Sequence, residues 1–119
     1  MNIIVADDDK VLSQVICAIL AEGGHITVPA YDSMQTMMFV MKKPPDLVVL
    51  DINMPGGTGL DVLRKLKMSS KTKSVPVVVL TSNTDKALPE EARKLGATHF
   101  LTKPVDPDAL LAAVREAAL

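Results

Sequence analysis

The chain has 119 residues, 48% of them hydrophobic, and a formal net charge of −1. That length and apolar content suit one domain with one core, and so even a charge balance supplies no electrostatic pull towards nucleic acid or an anionic membrane. The single cysteine, Cys17, excludes an internal disulfide, and no apolar run nears the ~20 residues of a membrane span. With no signal-peptide pattern after Met1, residues 1–119 read as one domain, and the expected location is cytoplasmic.

Residues 2–6 (NIIVA) predict a buried strand that runs straight into Asp7, Asp8 and Asp9. From Val11 the period turns helical: Val11, Leu12, Val15, Ile16, Ile19 and Leu20 predict one apolar face, stopped by Gly23 and Gly24. The acidic triplet therefore lies in a strand-to-helix turn, with Asp9 placed to complement the helix N-terminus. Cys17 sits inside the apolar pattern and reads as inert core. Residues 25–30 (HITVPA) predict a second strand, and Pro29, lacking an N–H, puts it at a sheet edge. Ser33 is the expected cap of a second helix. Its Met34, Met37, Met38 and Met41 are expected to pack on the sheet rather than form a soft binding surface. Lys42, Lys43, Pro44 and Pro45 end it.

Residues 46–59 (DLVVLDINMPGGTG) organise the rest. Leu47, Val48, Val49 and Leu50 predict a strand buried on both faces, and Asp51 ends it. The chain is then expected to turn through Pro55, Gly56, Gly57 and Gly59, small residues that let backbone crowd Asp51. A third helix follows with Leu60, Leu63 and Leu66. Residues 75–81 (VPVVVLT) predict another apolar strand ending in Thr81. Pro89 is comfortable only in a first turn, so a short fourth helix is expected from Leu88 to Leu95, after a loop at 83–87. Residues 98–102 (THFLT) predict the last strand, followed by Lys103 and Pro104. A last helix begins at Asp106 or Pro107, with Leu110, Val114 and Ala117 inward.

Alternating strands and helices with apolar strands predict an α/β fold, a doubly wound parallel sheet covered on both faces. In such a sheet the C-terminal strand ends share one rim, where ligands bind. Asp7 and Asp8, Asp51, Thr81 and Lys103 would all stand there. Were the first and third strands neighbours, three carboxylates would converge. Like charges that close are unfavourable, and a hard divalent cation such as Mg²⁺, which takes oxygen ligands and keeps open positions, resolves the conflict. With a lysine ammonium and a hydroxyl added, the set describes a site for a phosphoryl group beside a nucleophilic carboxylate. Each residue taken singly has a plainer reading as a capping acid, a strand-end threonine or a solvated lysine; the joint placement is what points to chemistry.

Over essentially its whole length the chain resembles the receiver domain of two-component response regulators. The resemblance is carried by VADDD at 5–9, LVVLDINMPGGTGLD at 47–61, VPVVVLTS at 75–82 and LGATHFLTKP at 95–104. It implies a flavodoxin-like five-stranded sheet of order 2-1-3-4-5, with which the edge proline and converging acids agree. It implies Asp51 as phospho-acceptor, Asp7 and Asp8 as the acidic pair for Mg²⁺, and Asn53 as the donor of a backbone carbonyl to the metal. Thr81 matches the switch hydroxyl, Phe100 the switch aromatic and Lys103 the phosphate-contacting lysine, and the Lys103–Pro104 bond is similar to one that is cis in the family. The chain departs from the common pattern at Thr58, often Asp, at Phe100, which lacks a phenolic hydroxyl, and at Pro89, which shortens the fourth helix of the expected output face.

The function so implied is a signalling switch, not a turnover enzyme. Asp51 would accept phosphate from a sensor histidine kinase or histidine phosphotransfer protein, and the surface of the fourth helix, last strand and last helix would change for a downstream partner. No direct nucleic-acid or membrane contact is expected. Two alternatives are a Mg²⁺-dependent aspartyl phosphohydrolase, which would need an acid where Asn53 stands, and an interaction module that works without phosphorylation.

Overall fold

In the computed structural model, residues 1–54 and 59–119 are described; the expected turn at Pro55, Gly56 and Gly57, and the departure at Thr58, lie outside them. Five strands alternate with five helices: β1 (Asn2–Ala6), α1 (Lys10–Glu22), β2 (Ile26–Ala30), α2 (Ser33–Lys42), β3 (Leu47–Leu50), α3 (Gly59–Met68), β4 (Val77–Thr81), α4 (Leu88–Lys94), β5 (His99–Thr102) and α5 (Pro107–Ala117). The strands pair in parallel in the order β2-β1-β3-β4-β5. Pro29 does lie in an edge strand, as its missing N–H requires. Among the described residues no helix is long and apolar enough to cross a membrane.

Because strand side chains alternate, the apolar runs feed two cores. Ile4, Val48, Leu50, Val77 and Val79 meet Val40, Leu63, Leu66 and Ala92 on the face of α2, α3 and α4. Ile3, Val5, Val49, Val78 and Leu80 meet Ile16, Leu20, Leu110 and Val114 on the face of α1 and α5. Both β3 faces are sealed, which is why its sequence is apolar throughout. Cys17 is half-buried against the second core.

Caps position the helices. Asp9 accepts from Leu12 N at 3.0 Å at the start of α1, and Asp106 accepts from Asp108 N, with Pro107 at the first helical position, in α5. At α2 the cap is Asp32 rather than the expected Ser33. Asp32 is extended and accepts from Gln35 N at 2.7 Å, while Gln35 Oε1 accepts from Tyr31 N. Ser33 is already helical and buried. The Asp32-x-x-Gln35 spacing was the available signal.

Two expected helix faces turn out differently. In α1 the sheet-facing positions are Ser13, Ile16 and Leu20, leaving Val11 at 73% and Val15 at 45% exposure. In α2 they are Ser33, Thr36 and Val40, leaving Met34 and Met38 exposed while Met37 packs on the core. Small polar residues thus share the buried face of each helix with Ile16, Leu20 and Val40, and the count of apolar side chains does not set its rotation. The fourth helix is as short as Pro89 requires, with that residue in its first turn.

Candidate functional site

Parallel pairing carries four strand ends to one rim. Asp51 N donates to Ala6 O at 2.9 Å, and Asp7 N to Ala30 O at 3.0 Å, so the bonding extends one residue past the strands and holds both acids in register. Asp7 and Asp51 are buried, Asp8 is exposed. Their carboxylate oxygens lie within 4.8 Å of one another.

Each buried carboxylate has one oxygen engaged locally. Asp7 Oδ1 accepts from Asp9 N, and Asp51 Oδ1 from Asn53 N, both at 2.9 Å. These short loops pin the side chains without using the second oxygen. Those second oxygens meet Lys103: its Nζ donates to Asp7 Oδ2 at 2.8 Å and to Asp51 Oδ2 at 3.1 Å. Burial pulls the Lys103 ammonium towards neutrality, but its bonds to Asp7 and Asp51 and their charge outweigh this and hold its pKa above the ordinary lysine value. The Lys103–Pro104 peptide is cis, and Lys103 N donates to Thr81 O at 2.8 Å.

Thr81 is fully buried at the end of β4. Its hydroxyl oxygen accepts from Asn53 Nδ2 and from Asn83 N, each at 3.2 Å. The sequence suggests a backbone carbonyl for the metal at Asn53 and a place beside the path of the hydrolytic water, but not this bond from its side chain to Thr81, of which an amide two residues after the acid is the sole trace. Phe100 is half-buried on β5 against the core of α2, α3 and α4, opposite Val79 in the ladder and two residues short of the rim. Thus Asp7, Asp8, Asp51 and Lys103 come together at one point, Asn53 and Thr81 flank it, and Phe100 stands behind it.

Gly59 explains the tight fit around Asp51. Its N–H donates to Ile52 O at 2.9 Å, and a Cβ there would lie 2.3 Å from Ile52 Cα and 2.7 Å from Asp51 O. Only glycine permits that approach.

A single ammonium facing three clustered carboxyl groups leaves room for more positive charge. The donor set is all hard oxygen, and exposed Asp8 opens it to water, so these residues fit a metal ion of the Mg²⁺ type.

A family model described as the response regulator receiver domain matches residues 3–115. The chain belongs to that family.

Among curated relatives it is 31% identical over 114 residues to the phosphate regulon transcriptional regulatory protein PhoB of Escherichia coli, covering 96% of this chain and 50% of that protein. It is 37% identical over 114 residues to the DNA-binding response regulator MtrA of Mycobacterium tuberculosis, covering 96% and 49%. The chain thus spans about half the length of these relatives. Among solved structures, the chemotaxis response regulator CheY4 of Vibrio cholerae superimposes with a TM-score of 0.90 at 28% identity, covering 98% of this chain and 97% of that one. The receiver domain of NtrX from Brucella abortus gives 0.89 at 29% identity, covering 98% and 97%. This receiver domain has the flavodoxin-like sheet order 2-1-3-4-5 expected of it, and its family serves phosphorylation-dependent signalling.

Proposed function

We propose that this domain is a phosphorylation-controlled switch whose acceptor is Asp51. The observation that carries the reading is the shared grip of Lys103 on Asp7 and Asp51, which joins residues far apart in sequence around one acidic pocket. An Asp51 oxygen attacks phosphorus on a phosphohistidine of a sensor histidine kinase or phosphotransfer protein. The P–O bond forms and the P–N bond breaks, and the ring, protonated on its other nitrogen before transfer, leaves as neutral imidazole. Asp7, Asp8 and Asp51, with the Asn53 backbone carbonyl, would hold Mg²⁺. When bound, it would offset charge on the phosphoryl oxygens.

The protein's own residues do the remaining work. Lys103 stays charged and presents its ammonium to a phosphoryl oxygen. Thr81 turns its hydroxyl to another, leaving Asn53, and the space it vacates admits Phe100. That repacking alters the surface of α4, β5 and α5 for a downstream partner, to the extent that the two states differ in contacts. Water later attacks phosphorus, releasing phosphate and restoring the carboxylate, with Asn53 and Asn83 beside its path. The domain assists its own phosphorylation and dephosphorylation and is not a turnover enzyme.

Incubation with acetyl phosphate and Mg²⁺, read by intact mass, tests this. One phosphoryl group per chain, absent in Asp51→Asn and lost slowly, supports the switch. Rapid multiple turnover would indicate a phosphohydrolase, and no label a module that works without phosphorylation; either result overturns the reading.

A further inference from the structure

At the end of the sheet opposite the carboxylates, α2 packs on both β1 and the edge strand β2 but leaves part of the edge strand uncovered. There Ile26 and Val28 are 69% and 46% exposed. They stand on the same strand face, and Val28 is in register with Ile4 of β1. Ile4, Ile26, Val28 and Phe39 line a groove of about 370 Å³, with Lys42 and Lys43 at its rim where α2 ends and two prolines follow. Among the described residues neither lysine ammonium has an ion pair or hydrogen-bond partner. An aliphatic and aromatic floor beside two uncommitted cations complements a ligand with an apolar body and one anionic end.

From this complementarity we infer that the groove binds a single-chain aliphatic carboxylate, its tail on Ile4, Ile26, Val28 and Phe39 and its head at Lys42 and Lys43. Pro29 removes a donor from the outer edge of β2, which disfavours an added strand from a second copy. The volume of the groove and the two lysines beside its apolar floor instead suit a small amphiphile. The site is remote from Asp51 and independent of the proposed switch.

The test is amide NMR titration of the whole chain with decanoate below its micelle concentration, with decanol and acetate as controls. The expected result is saturable shifts at Ile4, Ile26, Val28 and Phe39 with decanoate, and none with acetate. The exposed double variant Lys42→Ala/Lys43→Ala should weaken decanoate about five- to tenfold and leave decanol unchanged. Val28→Glu, which puts a carboxylate on the floor, should abolish decanoate shifts, with a retained amide spectrum showing that the fold persists. Equal affinity for decanol and decanoate, full affinity in the double variant, shifts confined to the Asp51 end, or binding only to anionic vesicles would each overturn the proposal.

Discussion

Lys103 Nζ lies 3.1 Å from Asp51 Oδ2 and 2.8 Å from Asp7 Oδ2, and its side chain is only 14% exposed. One ammonium therefore holds together the ends of β1 and β3 from the end of β5. Removing it leaves two buried carboxylates facing each other and the exposed Asp8. Lys103→Met should lower unfolding free energy by about 3 kcal/mol without divalent cation. Added Mg²⁺ should recover part of that loss, because an ion bound to the native cluster stabilises by mass action. Urea denaturation with and without MgCl₂ measures both effects; an unchanged midpoint would mean that the pair contributes nothing.

The same contacts set an alkaline limit. The folded-state pKa of Lys103 is raised, so its contribution is fully present below the ordinary lysine value of about 10.4 and is lost as pH climbs through the raised value. Stability of the native chain should thus fall more steeply with pH than that of Lys103→Met between the ordinary lysine value and the raised one. Parallel denaturation series across the alkaline range give the comparison.

Thr81→Val keeps the volume and removes the hydroxyl that accepts from Asn53 Nδ2 and Asn83 N. Two donors lose their partner, at a cost of about 1–3 kcal/mol. The variant should still take a phosphoryl group on Asp51, since the acceptor and Lys103 are untouched. It should not relay that event to Phe100, and amide shifts around β5 on phosphorylation should shrink or vanish.

The chain contains no tryptophan, so Phe100→Trp creates a single reporter at the half-buried position behind Thr81. Acetyl phosphate with Mg²⁺ should change its emission, and the change should disappear when Asp51→Asn is added. Identical emission before and after labelling would show that this position does not move.

Gly59→Ala forces a methyl group into Ile52 Cα and Asp51 O. Backbone must shift there, with a cost of about 1–3 kcal/mol from overpacking and a displaced Asp51. Mg²⁺ affinity, followed by calorimetry, should fall with stability. Undiminished affinity would show that the loop yields without moving the acid.

Much of this molecule could be read before folding it. The unbroken aliphatic runs at Leu47–Leu50 and Val77–Thr81 can be satisfied only by strands covered on both faces, so a parallel sheet with two helical layers followed. Strand ends in such a sheet share a rim, so Asp7, Asp8, Asp51, Thr81 and Lys103 could be assigned to one place by pattern alone. The edge position of β2 was legible because Pro29 removes a ladder donor.

Rotation and contact belonged to the tertiary structure. Val11, Val15, Met34 and Met38 have the right chemistry for a core, yet α1 and α2 turn Ser13, Thr36 and Val40 inward instead. Helical spacing says which residues share a face, but packing distance to the sheet chooses which face is buried. Asn53 bonding Thr81, and Lys103 choosing Asp7 and Asp51 together, were likewise beyond the sequence. Periodicity sets the order of elements along a chain; the ångström-scale meeting of side chains from separate strands exists only once the sheet has brought those strands side by side.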